Sequence, residues 1–128
     1  MKRPETMLMR KILFALGIFL NFSVAQSAAY PEFDEPDLKQ GRGIWLGTCA
    51  ACHANDLSDA PQAKKPSAWL PRIAKGRDVL YGHALKGFSG DYGDMPPRGG
   101  NSNLSDADVR VALEYMLKIV SISTGESQ

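Results

Sequence analysis

The sequence predicts an all-α fold, and three observations carry that prediction. Asp106 to Val120 repeats its apolar residues every three or four positions, the period of a helix with one buried face. No segment alternates apolar and polar residues over the length a half-buried strand needs. Eight prolines and twelve glycines break up the rest, so the other helices must be short.

The chain has 128 residues, enough for one domain and too few for two. Its start does not read as part of that domain. Lys2, Arg3, Arg10 and Lys11 precede the apolar run Ile12 to Leu20, which is followed by the small residues of "SVAQSAA". Basic, apolar and small segments in that order predict a signal peptide over residues 1–29, with cleavage somewhere after residues 25 to 29. The apolar run is far shorter than the ~20 residues of a spanning helix, so no stable membrane insertion is expected once it is removed. Residues 1–29 hold four of the 15 basic residues and one of the 14 acidic ones. The remainder therefore carries 11 against 13, a formal charge of −2. Nucleic-acid binding, which calls for a basic excess, is not expected.

The elements follow in order. Residues 30–36 are acidic and contain two prolines, and read as an extended leader. Asp37 to about Gly47 reads as a first helix, with an acid at its start where the helix dipole favours one. Leu38, Gly41 and Trp45 share a face of it at i, i+3, i+7 spacing. Gly41 and Gly43 each cost that helix ~1 kcal/mol relative to alanine, and a glycine kept at that cost suits close approach of another backbone. Pro61, Pro66 and Pro71 leave room only for short helical turns between them. Asp78 is placed to cap a short helix that runs through Leu85 and stops at Gly87. Gly87 to Leu104 has neither helix nor strand period, and so long a loop in a small domain is normally either functional or disordered. Ser105 and Asp108 make a capping-box-like start to the last helix, whose inward stripe is Val109, Ala112, Leu113, Met116 and Val120. A domain over residues 37–121 and a flexible tail over 122–128 complete the expected organisation.

Both cysteines and one of the two histidines lie within five residues, in "CAACH" from Cys49 to His53. Three chemistries use such a cluster. A redox disulfide, as in an exported CxxC thiol-disulfide oxidoreductase, normally follows a buried strand in a βαβ unit; here a glycine-bearing helical segment precedes it. A zinc site prefers two spaced ligand pairs; Cys52 and His53 are adjacent, and His83 stands alone. Covalent attachment of haem fits directly, since C-x-x-C-H is the attachment motif. The thiols of Cys49 and Cys52 form thioethers to the porphyrin, and His53 binds iron from one face. A second axial ligand is then required, and a methionine is the common partner of histidine in electron-transfer proteins. Met95, in "GDMPPRGG" within the long loop, is the candidate. One covalent haem also supplies what the short chain lacks, a large apolar filling for its core.

With these residues in place the chain resembles the small class I c-type cytochromes, most closely the bacterial cytochrome c-five group. The resemblance rests on "GRGIWLGTCAACH", "DAPQAKKPSAWLPRIAKG", "MPPRGG" and "LSDADVRVALEYM", and covers residues 37–120. It implies an all-helical fold wrapped round one haem, with the first and last helices crossing near Gly41 and Tyr115. It implies that the Pro61 carbonyl meets the His53 ring and that Trp69 packs near the haem. One departure stands out: "RGGNSNLSD" lacks the extra cysteine pair found in many members of the group. With protein ligands on both faces of the iron, no position is open to substrate. The expected role is therefore a periplasmic one-electron carrier between redox partner proteins, not an enzyme. A dedicated cytochrome subunit of a periplasmic dehydrogenase or oxidase complex is the alternative.

Overall fold

A computed structural model describes residues 30–125. Tyr30 and Pro31 belong to a separate contact unit from the residues that follow, and the fold below is that of residues 32–125. The expected signal peptide lies outside the described residues.

The first helix, α1 (Pro36–Ile44), begins with proline in its first turn, where the missing N–H costs nothing. It does not stop near Gly47 as expected. A π-helical turn (Trp45–Cys49) carries it into α2 (Ala50–His53), so one continuous helix runs from residue 36 to residue 53. Sequence reasoning ended it early because glycines at 41, 43 and 47 weaken the local preference for helix. Packing against the last helix supplies the missing stability. Gly41 is buried there, and a Cβ on it would lie 2.1 Å from the Val111 carbonyl oxygen and 3.1 Å from Tyr115 Cβ. The crossing near Gly41 and Tyr115 is thus as the resemblance implied. One turn on, the fully buried Trp45 lies against Tyr115, with ring centroids 5.8 Å apart.

The last helix, α5 as numbered below, spans Asp106–Ser123. Its start is a complete capping box: the Asp108 amide donates to Ser105 Oγ at 3.1 Å, and the Ser105 amide donates to Asp108 Oδ2 at 2.9 Å. The five expected inward residues are all buried, and Tyr115, Leu117 and Ile119 join them. Its end runs two residues into the segment expected to be a flexible tail. The leader is also less free than its composition suggests. Glu32 pairs with Arg42 at 3.2 Å, and Phe33 meets the Tyr115 ring edge-on at 5.9 Å.

Two corrections concern the middle of the chain. A helix, α3 (Pro66–Ile73), runs through Pro71 where only short turns were expected. Pro71 deletes a single intrahelical bond in a helix this short. Trp69, buried, anchors it by donating from Nε1 to the Gln62 carbonyl at 3.0 Å. The next helix, α4 (Arg77–Lys86), is capped by Gly76 rather than Asp78, which falls in its first turn. Gly87 ends it in a left-handed conformation, φ 82°, as its position predicted. The long loop then holds the one departure from an all-helical reading among the described residues. Strands β1 (Phe88–Gly90) and β2 (Gly93–Met95) form an antiparallel hairpin, with Phe88 opposite Met95. Three-residue strands are too short to show alternation. A 3₁₀ turn (Pro97–Gly100) follows and leads to α5.

Candidate haem site

Cys49, Cys52 and His53 sit at the C-terminal end of the long first helix. Their spacing of i, i+3 and i+4 puts all three on one helical face. The π turn just before them ends with the Ala50 amide donating to the Trp45 carbonyl. It adds a residue to that turn and so shifts the rotational phase of everything after it. Trp45 thereby faces the α5 contact, while the cysteine and histidine face is turned elsewhere.

A helix end leaves its last carbonyls without partners, and here the following loop supplies them. Ser58 Oγ and Gln62 Nε2 both donate to the Cys52 carbonyl, at 2.8 and 3.1 Å. Asn55 Nδ2 donates to the Ala51 carbonyl at 2.7 Å, and the Ala63 amide to the His53 carbonyl at 2.9 Å. This wraps residues 55–63 tightly beneath the histidine. The same wrap brings the Pro61 carbonyl to 2.8 Å from His53 Nδ1. A carbonyl only accepts, so Nδ1 carries the proton and the lone pair is on Nε2. The ring is buried, 7% exposed, and Trp69 lies beside it at 5.8 Å. Burial holds His53 below the usual imidazole range, against the pull of the Pro61 bond and with the Arg72 charge adding to the depression. The result is a neutral, oriented imidazole with one nitrogen ready to act as a ligand.

Neither cysteine is in a disulfide. Burial pushes the Cys49 thiol up to about 11, the opposite of the depressed pKa that makes a CxxC cysteine a fast thiol nucleophile. The zinc arrangement is not formed either: among the described residues no three His, Cys, Asp or Glu side chains are grouped to hold a metal. His83 lies instead in a stack with Phe88, ring centroids 4.0 Å apart.

Met95 is half-buried at the end of β2. Its loop is held at three points. Gly87 leaves room for the Met95 carbonyl, which would lie 2.9 Å from a Cβ there. Arg98, left-handed at φ 54°, donates from Nη1 to the Leu104 carbonyl at 2.8 Å and from Nη2 to Asp106 Oδ1 at 2.6 Å. Asn101 Nδ2 donates to Thr48 Oγ1 at 3.4 Å, which ties the end of the loop to the residue before Cys49. Sequence reasoning missed Gln62, Ser58, Arg98 and the Thr48–Asn101 pair. Each is an ordinary polar residue in no recognised motif, with these partners between 6 and 53 positions away.

Residues 36–116 match the family described as cytochrome c oxidase, cbb3-type, subunit III. The chain belongs to the c-type cytochromes. The cytochrome c-555 of Chlorobaculum thiosulfatiphilum is 40% identical over 81 residues, which cover 63% of this cytochrome and 94% of that protein. The cytochrome c-555 of Prosthecochloris aestuarii is 30% identical over 93 residues, covering 70% and 94%. A solved structure described as an electron transfer complex of nitrite reductase with cytochrome c contains a chain 34% identical to this one. The match has a TM-score of 0.56 and covers 70% of this cytochrome and 99% of that chain. Covalent haem c with its iron comes with the family, and the geometry fits it. The cytochrome offers two unpaired thiols on one helical face, in the spacing of the attachment motif, beside an imidazole whose Nε2 lone pair is unspent. It is an electron-transfer protein, as its relatives are, and not an enzyme. No helix among the described residues is long and apolar enough to cross a membrane.

Proposed function

We propose that this cytochrome carries single electrons between periplasmic redox partners, with Cys49 and Cys52 as the thioether anchors and His53 and Met95 as the two axial ligands of its iron. The observation that carries the reading is the 2.8 Å contact between His53 Nδ1 and the Pro61 carbonyl. A buried histidine with no ligand duty gains from bonding at both nitrogens. This one is bonded only at Nδ1 among the described residues, next to both cysteines. Support for Met95 is its loop. Pro96 and Pro97 stiffen the backbone after the ligand, Arg98 clamps it, and Asn101 returns it to the attachment helix. A restrained loop loses little entropy in holding a weak thioether bond. Two protein ligands leave little to rearrange when one electron moves, and the methionine sulfur raises the potential.

Export is the reading supported by the basic, apolar and small-residue order of residues 1–29. Partners that exchange electrons quickly bind through small, weak interfaces, and the neighbour described in complex with nitrite reductase makes a reductase of that kind a candidate acceptor. A second reading, a dedicated subunit of an oxidase complex, draws on the description of the matching family. Stable co-purification with a catalytic subunit selects it over the free carrier.

Visible spectra of the oxidised and reduced protein, with its intact mass, test the cofactor reading. The expected product carries one haem and no free thiol. Met95→Ala is expected to abolish the far-red sulfur-to-iron band of the ferric protein and lower the potential, while His83→Ala leaves both in place. Loss of the band in the His83 variant alone would overturn the ligand assignment.

A further inference from the structure

We propose that Gln62 is a positioning residue that sets the redox potential of this cytochrome, its side-chain amide holding the Pro61 carbonyl against the His53 ring. The inference rests on the haem reading above and adds a residue to it.

Apart from aromatic residues, His53 and Gln62 carry the two polar side chains buried among the described residues. A buried amide is costly unless its N–H groups find acceptors, and this one finds two. Gln62 Nε2 donates to the Cys52 carbonyl at 3.1 Å and to the Ala60 carbonyl at 2.9 Å. Both partners are carbonyls, so the nitrogen, with its two N–H donors, is the atom between them. The Cys52 carbonyl belongs to the peptide group that leads into His53, and the Ala60 carbonyl to the one that leads into Pro61. One side chain thus ties together the two peptide groups that precede the donor and the acceptor of the His53–Pro61 contact.

The backbone around Gln62 is fixed as well. Its own carbonyl accepts from Trp69 Nε1 and from the Lys65 amide, both at 3.0 Å. The next amide, that of Ala63, donates to the His53 carbonyl at 2.9 Å. Ser58 is the contrast. Its Oγ donates to the same Cys52 carbonyl at 2.8 Å but makes no hydrogen bond to Ala60 or Pro61 among the described residues. Ser58 satisfies a helix-end carbonyl, whereas Gln62 satisfies it and bridges to the acceptor side.

The bridge bears on the iron through His53. A firm bond from Nδ1 to Pro61 makes Nε2 the more basic ligand, which favours the oxidised state and lowers the potential. Slackening that bond moves the potential up. Loosening of the loop with no change at Nδ1 has the opposite sign, because water admitted to the site favours the more highly charged oxidised iron. The direction of the shift therefore separates a positioning role from a merely structural one.

Redox titration and proton exchange of the haem-loaded protein test the proposal. Gln62→Met has about the same length and no donor. It is expected to raise the midpoint potential. It should also speed exchange of the His53 Nδ1 proton, followed by NMR of the reduced protein, by about tenfold, the size of one lost hydrogen bond. Ser58→Ala, which removes only the helix-end bond, is expected to move both by clearly less. Gln62→Asn keeps the amide but is too short to span both carbonyls, and should fall between wild type and Gln62→Met. An unchanged or lowered potential in Gln62→Met overturns the proposal, as does a Ser58→Ala protein that matches Gln62→Met. If Gln62→Met takes up no haem, Gln62→Asn carries the decision, and a potential at or below wild type in that variant overturns the proposal. A wild-type protein without haem would sink the haem reading itself.

Discussion

Gly41 and Gly43 are two residues apart in α1, on opposite faces of the helix, and only one of them is needed. A Cβ on Gly41 would meet the Val111 carbonyl at 2.1 Å, and one on Gly43 would meet nothing within 4 Å. Gly41→Ala must push the two helices apart and is expected to cost about 1–3 kcal/mol. Gly43→Ala is expected to stabilise by roughly 0.5–1 kcal/mol through helix propensity and a less flexible unfolded chain. Thermal unfolding of the two variants checks both, and a Gly41→Ala protein as stable as wild type would contradict the close crossing. Glu114 makes a pH-dependent contribution at the same scale. Burial alone would raise its pKa, but hydrogen bonds from Arg77 and Tyr81 and the charges of Arg77 and Arg110 outweigh it and hold the carboxyl below its usual value. A carboxyl depressed in the folded state stabilises fully above its unfolded pKa, and that contribution is lost as pH falls through the folded value. Glu114→Gln should therefore cost about 0.5–1 kcal/mol at neutral pH, the size of a partly exposed ion pair. The difference from wild type should shrink below about pH 4.5.

Among the elements, the hairpin and 3₁₀ turn depend most on contacts outside themselves. Arg98 occupies a left-handed conformation that costs a non-glycine residue roughly 1–2 kcal/mol. Its bonds to the Leu104 carbonyl and Asp106 Oδ1 offset that cost. The same two bonds join the methionine loop to the start of α5, so the loop cannot open without breaking them. Arg98→Leu is expected to leave haem attachment intact but to strengthen imidazole binding to the ferric iron by about tenfold, equal to roughly 1.4 kcal/mol. Titration followed at the far-red band measures it. Arg98→Lys, which retains the charge but not the fork, should lie between. Equal imidazole affinity in all three proteins would show that the clamp does not restrain Met95.

At the scale of the whole molecule the most deeply buried residues gather at one seam. Trp45, Tyr115, Ile119 and Val120 are almost fully buried where α1 meets α5. In α3 and α4, Trp69, Leu80, Tyr81 and Ala84 are buried too, while Leu70 of α3, Phe88 and Tyr92 of the hairpin and Leu57 of the loop after His53 are exposed. A chain this short has a marginal apolar core by itself, and a large apolar cofactor adds to it. The double variant Cys49→Ala/Cys52→Ala, exported and purified, is expected to be colourless and to show no cooperative thermal transition. A sharp transition in that variant would mean that the helix pair folds without haem.

The sequence by itself determined the attachment chemistry and the elements whose signals are local. The CAACH spacing names the cofactor because thioether formation and ligation need those residue types within a single helical turn and a half. The α5 capping box and inward stripe were legible because both ends of each interaction lie within a few residues. The helix crossing at Gly41 and the Pro61–His53 contact were legible only through family resemblance. Tertiary structure decided what depends on partners outside the element itself. The first helix runs on through three glycines to His53 because α5 supports it, and α3 tolerates Pro71 because Trp69 is tied to Gln62. The hairpin closes over three-residue strands that carry no period of their own. Arg72 and Arg98 look like any other surface cations in the sequence. Only the folded chain shows one bonding the Ala68 carbonyl and the other reaching Asp106, because helix propensity and periodicity report on neighbours in sequence, while hydrogen bonds and packing are satisfied in space.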